Sequence, residues 1–399
     1  VFIEETIKTL LKQGVIEKAA TPWVSPIVIA THPRTGKLRF CVDYRGVNSL
    51  TIADAYSLPR IKQVFEAVSG MAVLSIVDVA QAFPHVPIAE ASKQFTGFRG
   101  PRNDLYQYVG SPFGLASLPA TWQRYMETMF SGLLWKSVCI YVDDILVFSA
   151  DVSSHIVLLT EVFRVLREHN LALRVEKCHF FKREVEYLGF LLSADGVRAV
   201  PASVAKILEC PAPVSKSEIR RFMGMAEQYR SFIPDFAALA KPLSRLQGKA
   251  KKGGQAIRFQ WGDEEATAFE TLKMALASTP VLTLPDLSRP FRIYIDASEF
   301  AMGAVLCQLD ADSRERVIGY YSKMMNPAQV NYSVSEKECL AVHHFITTLR
   351  HFFAGGGPHE LFTDHSALTA LTKGELHNRR MIRWATDLAS FNFVIRHIP

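Results

Sequence analysis

Two adjacent acids inside an apolar run constrain this chain most. Val138-Cys139-Ile140-Tyr141 leads into Val142-Asp143-Asp144, and Ile145-Leu146-Val147-Phe148 follows. Such a run reads as a hairpin over 138–148 with the acids at its tip. Aspartate is a favoured turn residue, so the pair taken alone serves as a turn as readily as a site. Asp78 changes the balance, because it closes a second apolar strand, Val73-Leu74-Ser75-Ile76-Val77.

Phosphoryl transfer by two metals needs carboxylates from separate segments converging on cations about 3.5–4 Å apart. Magnesium takes hard oxygen ligands and keeps several waters, so two or three aspartates suffice. Asp78, Asp143 and Asp144 fit that demand. A second set lies near the C-terminus. Asp296 ends Phe291-Arg292-Ile293-Tyr294-Ile295, Glu338 lies in a helix, and Asp364 ends Leu361-Phe362-Thr363.

The chain has 399 residues, which suits two to four domains. Its 49% hydrophobic and 21% charged residues are those of a globular protein, and no apolar stretch is long enough to span a membrane. A net charge of +6 suits a polyanionic partner without demonstrating one. Cys41, Cys139, Cys178, Cys210, Cys307 and Cys339 are widely spaced, which speaks against a disulfide framework or zinc site and for a reducing compartment. The acidic start, Val1-Phe2-Ile3-Glu4-Glu5, is unlike a signal peptide, and the missing initiator Met suggests a piece of a longer polyprotein.

Periodicity predicts a helix over 4–18, strands at 26–31 and 38–44, a helix over 118–135, another over 154–169, and strands near 173–175 and 185–193. Pro211–Ser215 marks a boundary, with Ser217 as cap of a helix carrying Ile219, Phe222, Met223 and Ala226. Gly248–Gly254 reads as a linker. A helix over 263–277, the strand 291–296, the run 303–308 and a helix over 335–353 complete the pattern.

The first two hundred residues resemble the reverse transcriptase of gypsy-type LTR retrotransposons. The likeness rests on Ser25-Pro26, Arg39-Phe40-Cys41-Val42-Asp43-Tyr44-Arg45 with Asn48, and Tyr56-Ser57-Leu58-Pro59. It continues through Pro112-Phe113-Gly114-Leu115, Pro119-Ala120-Thr121-Trp122-Gln123-Arg124 and Tyr141–Ser149. Lys177-Cys178, Phe180-Phe181 and Tyr187-Leu188-Gly189 resemble its primer-grip region. From 291 onward Asp296-Ala297-Ser298, Gly303–Leu306, Asn331–Glu338 and Thr363-Asp364-His365 resemble its ribonuclease H.

The resemblance implies an α+β multidomain fold: a right-hand polymerase followed by an α/β ribonuclease H-like domain. Fingers and palm would span 1–200, thumb 201–250, connection 251–289, and a C-terminally truncated ribonuclease H-like domain 290–399. It implies RNA- and DNA-templated addition of dNTPs to a primer 3′-OH, and attack on the RNA strand of RNA–DNA hybrids. Two Mg²⁺ per site, replaceable by Mn²⁺, would be held by Asp78, Asp143 and Asp144, and by Asp296, Glu338 and Asp364. Glu336 rivals Glu338; the latter is preferred because it leads into apolar Leu340-Ala341-Val342. Arg39 would grip the triphosphate, Phe83 would reject a ribose 2′-OH, and Phe113 and Gly114 would face the nucleotide. Leu188 and Gly189 would hold the primer end. The implied location is intracellular, in cytoplasmic retroelement particles or the nucleus, with no membrane.

The chain departs from the family pattern in four places. Ala82 replaces a glycine before the gate, and Pro84 and His85 follow the gate aromatic. The fingers turn is Thr31-His32-Pro33-Arg34-Thr35-Gly36-Lys37, leaving His32, Arg34 and Lys37 as rival phosphate cations. The sequence stops at Arg396-His397-Ile398-Pro399, ahead of the family's fourth ribonuclease acid, which implies a weakened ribonuclease. Among basic residues, which include Lys206, Lys216, Arg220 and Arg221, the cluster Lys241, Arg245, Lys249, Lys251 and Lys252 suits a nucleic-acid backbone. Two alternatives stand beside this reading: a catalytically inactive, domesticated nucleic-acid-binding protein, and an RNA-dependent RNA polymerase. The intact acids oppose the first, and Phe83 with the ribonuclease-like half opposes the second.

Overall fold

Val73–Asp78 contains no polar stripe, and every residue after Val73 is buried, so the segment is a strand covered on both faces. It is fourth among those of the first compact unit, Val1–Ala67 with Met71–Val185, in a computed structural model of the chain. In order these are β1 (Ile16–Lys18), β2 (Ile27–Thr31), β3 (Leu38–Val42), β4 (Val73–Asp78), β5 (Phe98–Arg99), β6 (Leu105–Tyr108), β7 (Val138–Tyr141), β8 (Asp144–Ser149) and β9 (His179–Lys182). The structure describes residues 1–31, 36–52, 54–80, 83–247, 259–355, 357–364 and 379–398. The Gly248–Gly254 linker, with Lys249, Lys251 and Lys252, lies outside them, as do His32, Arg34, Ala82 and His365.

The central sheet runs β7-β8-β4-β9. Its core joins Val77, Ile140, Ile145 and Val147 to Trp122 and Met126 of the helix Leu118–Met129, and to Leu159, Val162 and Leu166 of the helix Val152–Glu168. The second helix is pinned by a buried relay. Phe181 N–H donates to Ser75 Oγ (3.0 Å), and Ser75 lies 2.7 Å from His155 Nε2. His155 Nδ1 lies 2.8 Å from Ser149 Oγ, whose proton goes to Asp151 O (2.9 Å). With Ser149's proton committed, Nδ1 is the donor. Burial lowers the His155 pKa and favours the neutral ring, in which Nε2 accepts from Ser75 Oγ. β2 and β3 form a separate antiparallel pair, and β1-β6-β5 a third sheet.

Several boundaries differ from the sequence expectation. The first helix is Phe2–Lys12, not 4–18; Gly14 takes a left-handed φ of +69° and sends the chain into β1, where pairing with β6 outweighs the helical pattern. The helix expected over 118–135 ends at Met129, and Trp135, at φ +63°, turns the chain into β7. No strand forms at 173–175; Leu173 makes a lone bridge to Val79, and Val175–Lys177 is a 3₁₀ turn.

The second unit comprises Val68–Gly70 and Glu186–Pro399. Near its start, β10 (Glu184–Tyr187), β11 (Phe190–Ser193) and β12 (Gly196–Ala199) make a small sheet. The strand expected over 185–193 is split because Leu188 and Gly189 both adopt positive φ (+51° and +84°), the two-residue hairpin geometry. The helix Lys216–Gln228 buries Ile219, Phe222, Met223 and Ala226 as expected, but its cap is Ser215, which accepts from Glu218 N, not Ser217.

A five-stranded mixed sheet follows, ordered β15-β14-β13-β16-β17. Its strands are β13 (Arg292–Ala297), β14 (Ala301–Leu309), β15 (Glu315–Met324), β16 (His359–Thr363) and β17 (Phe393–His397). β13–β14–β15 pair antiparallel, whereas β16 pairs parallel with β13 and β17. Phe291, Ile293 and Ile295 share a core with Met302, Ala304 and Leu306 and with Cys339, Val342 and Phe345 of the helix Val334–Thr348. All six cysteines are free, and no helix among the described residues is long and apolar enough to cross a membrane.

Candidate active site

Register sets Asp78 beside Asp144 and puts Asp143 at the adjoining hairpin tip, although the oxygens of these three do not all come within 4.8 Å of one another. Asp78, the last residue of β4, pairs directly with Asp144, the first of β8, while Tyr141 pairs with Asp144 across the hairpin and leaves Val142-Asp143 as its two-residue tip. Val142 sits at φ +53°, a conformation that is strained for a β-branched residue. The helix Leu118–Met129 holds it there: Trp122 Nε1 donates to Val142 O (2.9 Å), and Val142 N–H donates to Gln123 Oε1 (2.8 Å).

Asp78 is 7% exposed and accepts from Arg174 Nη1 and Lys177 Nζ, each at 3.3 Å. Asp143 Oδ1 is buried with no hydrogen-bond partner. Burial, then Asp144 and Asp78, push the Asp143 carboxyl above its usual range, against Arg174 and Lys177. Burial and Asp78 likewise raise Asp144, opposed by Lys177. A cation would relieve this surplus of buried negative charge, so these residues fit a metal.

The aromatic residues singled out by sequence also meet. Phe83, half-buried in the 3₁₀ turn Phe83–His85, packs edge-on to Phe113, with ring centroids 5.0 Å apart; Phe113 is 61% exposed. Gly114, at φ +101°, is fixed by Asn48, whose Nδ2 donates to Gly114 O (2.8 Å) and whose Oδ1 accepts from Ala116 N (2.9 Å). Arg39 is exposed on β3 opposite Ala30. Leu188 and Gly189 fall in the second unit, where Leu188 O accepts from Gln228 Nε2 (3.3 Å) and Gly189 O from Tyr229 Oη (3.1 Å). Of the basic cluster, Arg245 pairs with Glu264 (3.2 Å) and Lys241 lies 4.3 Å from the Phe300 ring centre.

Asp296, Glu338 and Asp364 each offer an oxygen within 4.8 Å of the others, an arrangement that no other acids among the described residues make. The parallel β13–β16 pairing carries Asp296 and Asp364 to neighbouring strand ends. Glu338 is 4% exposed, and its Oε2 has no partner. Burial, then Asp296 and Asp364, raise its pKa to about 7. Three converging oxygens and an orphaned buried one fit a cation. Glu336 is elsewhere: it caps its own helix through Ser333 and pairs with Arg380 (3.1 Å).

Sequence reasoning gave no role to Trp122, Gln123 or Arg174, and placed Lys177 in a primer-grip region, not on Asp78. Arg174 and Lys177 lie 96 and 99 residues from Asp78, and no local pattern announces such a contact.

Known proteins resemble the chain in both of its halves. Residues 25–192 match the family described as reverse transcriptase (RNA-dependent DNA polymerase), and residues 261–361 match the RNase H-like domain found in reverse transcriptase. Over its full length the chain is 33% identical to the "Retrovirus-related Pol polyprotein from transposon opus" of Drosophila melanogaster. It is 31% identical to the Tf2-3 transposon polyprotein of Schizosaccharomyces pombe. The chain is similar to a reverse transcriptase–RNase H segment of retrotransposon Pol polyproteins. It spans 40% and 29% of the lengths of those two Pol polyproteins. The fold of the chain is similar to a foamy viral protease–reverse transcriptase in complex with double-stranded DNA (TM-score 0.86, 23% identity), covering 99% of this chain and 69% of that one. It is also similar to a foamy viral protease–reverse transcriptase in complex with an RNA/DNA hybrid (TM-score 0.80, 22% identity), covering 99% and 53%. The chain thus carries a reverse transcriptase domain and an RNase H-like domain, and nothing favours a domesticated binding protein.

Proposed function

We propose that this chain extends a DNA primer on RNA and DNA templates by two-metal phosphoryl transfer at Asp78, Asp143 and Asp144. The observation that carries this reading is the in-register Asp78–Asp144 pair beside the orphaned Asp143 Oδ1. Bound there, two Mg²⁺, or Mn²⁺ in their place, would acidify the primer hydroxyl and offset charge on the phosphorus. The three carboxylates would fix the cations, and Arg174 and Lys177 hold the Asp78 carboxylate in place. Phe83, braced by Phe113, closes the space a ribose 2′-OH would need. Exposed Arg39 suits a bidentate grip on the dNTP phosphates. Gly114, held by Asn48, permits close approach of the nucleotide, and Leu188-Gly189 presents a tight turn to the primer end.

Asp296, Glu338 and Asp364 would hold the cations of a ribonuclease acting on RNA–DNA hybrids. The partners are template RNA, primer DNA, their hybrid and dNTPs; the site of action is the cytoplasmic retroelement particle or the nucleus. Fingers and palm are assigned to 1–200, thumb to 201–250, connection to 251–289 and the ribonuclease domain to 290–399. Primer extension with Mg²⁺ on both templates tests the reading. The wild type extends and Asp143→Ala does not; absence of extension by both proteins would return the chain to a binding role.

A further inference from the structure

The tip of the carboxylate hairpin is held by a chain of hydrogen bonds that continues well beyond it. A β-branched residue in the left-handed region is strained, so Val142 stays there only because its surroundings dictate it. Gln123, fully buried, clamps both sides of the turn: its Oε1 accepts from Val142 N (2.8 Å), and its Nε2 donates to Ile140 O (2.9 Å). A carboxamide can do this in one orientation only. Flipped, its oxygen would oppose the Ile140 carbonyl and its NH₂ would oppose the Val142 N–H.

Glu127 reinforces the orientation that these two backbone groups select. Its Oε1 accepts the second Nε2 hydrogen of Gln123 at 2.7 Å, and a carboxylate can only accept. Its Oε2 accepts from the Tyr56 hydroxyl, 71 residues earlier in the chain. The segment bearing Tyr56 is tied to the same helix a second time, through Asp54 and Arg124 (2.6 and 2.8 Å), with the Arg124 guanidinium 4.9 Å from the Tyr56 ring centre.

We propose that Glu127, steadied by Tyr56, is a positioning residue for the polymerase centre: it locks the Gln123 amide in the one orientation that clamps the strained Val142 turn and so aims Asp143 and Asp144. This rests on the reading of those two acids as catalytic. Glu127 is one helical turn from Gln123, and its hydrogen bonds run to Gln123 and Tyr56, not to the acids, so its effect passes through the turn.

The test uses the whole chain, with primer-extension kcat, KM for dNTP and Mg²⁺ dependence measured together. Misplacing reacting groups by about 1 Å costs on the order of a hundredfold, so Glu127→Leu should lower kcat by about ten- to a hundredfold and raise the Mg²⁺ requirement, with KM little changed. Glu127→Gln retains an acceptor for Gln123, its NH₂ turning to the Tyr56 oxygen, and should keep kcat within about threefold of wild type. Equal losses in Glu127→Leu and Glu127→Gln, or an unchanged kcat in Glu127→Leu, overturn the proposal. Should Glu127→Leu fail to fold, Tyr56→Phe decides: a lowered kcat with a raised Mg²⁺ requirement supports it, and wild-type values overturn it. Asp143→Asn separates the two levels. Full activity in that variant removes the catalytic reading and the proposal with it, whereas a dead Asp143→Asn beside a normal Glu127→Leu removes the proposal alone.

Discussion

Removing one hydroxyl, that of Ser75, should destabilise the first unit far more than a serine-to-alanine change ordinarily does. Ser75 is fully buried and serves two groups at once, accepting from Phe181 N–H and donating to His155 Nε2. Alanine leaves both without a partner. Each orphaned group costs about 1–3 kcal/mol, and with one of the two only partly buried the total is about 2–4 kcal/mol. Ser149→Ala gives an internal scale: it orphans the His155 Nδ1–H, while Asp151 O lies at an exposed residue that water reaches, so its cost should be about half as large. Urea unfolding of the three proteins, read as midpoint shifts at constant slope, measures the difference. Amide exchange at Phe181 locates it, since that proton should lose protection in Ser75→Ala. A Ser75→Ala cost below about 0.5 kcal/mol, the range of surface substitutions, would refute the relay.

Three further outcomes are expected. Burial, then Lys323 and His343, lower the His344 pKa from 6.5 to about 4. The folded state thus binds fewer protons than the unfolded between those values, so stability is present above pH 6.5 and is lost as pH falls toward 4, by up to about 1.4 kcal/mol per unit from this residue. Buried His155 and His359 are lowered too and add the same sign, so His344→Leu should flatten, not abolish, the acid slope of a melting-temperature series. Glu338 runs the other way. Its carboxyl is raised from 4.5 to about 7, so the metal-free protein loses stability as pH climbs through that window, and Glu338→Gln should recover about 2–3 kcal/mol at pH 8 in EDTA and nearly nothing at pH 4 while abolishing hybrid cleavage. Phe83→Val should admit ribonucleotides in primer extension; unchanged discrimination would remove Phe83 as the gate.

What could be read from sequence was what adjacent residues decide. The β4, β7 and β8 strands announced themselves as apolar runs, and the acid pair marked the β7–β8 turn. The second acid set was legible as strand, helix and strand, and its middle member could have been settled outright: Ser333-x-x-Glu336 is a capping-box signature, which commits Glu336 to its own helix and leaves Glu338 free. Other features had no local trace. Leu188 at positive φ carries no residue signal, so one alternating run concealed a hairpin. The helix at 216 took Ser215 over Ser217 because the cap is chosen by which hydroxyl reaches the Glu218 amide. Arg174 and Lys177 on Asp78, and Tyr56 on Glu127, are products of tertiary packing across 70 residues or more.

The strand order β7-β8-β4-β9 also sets a timetable for synthesis. β4, which ends in Asp78, lies between β8 and β9, so its inner and outer neighbours are both made later than it is. A nascent chain that has released β4 has no β8 to lay it against until residue 149 has emerged, no arginine on Asp78 until 174 and no lysine until 177. Until then an apolar strand waits with two open edges, the kind of segment that chaperones bind and that aggregation recruits. The Asp78–Asp144 pair can therefore form only late in synthesis, and a chain stalled earlier leaves β4 with both edges unpaired.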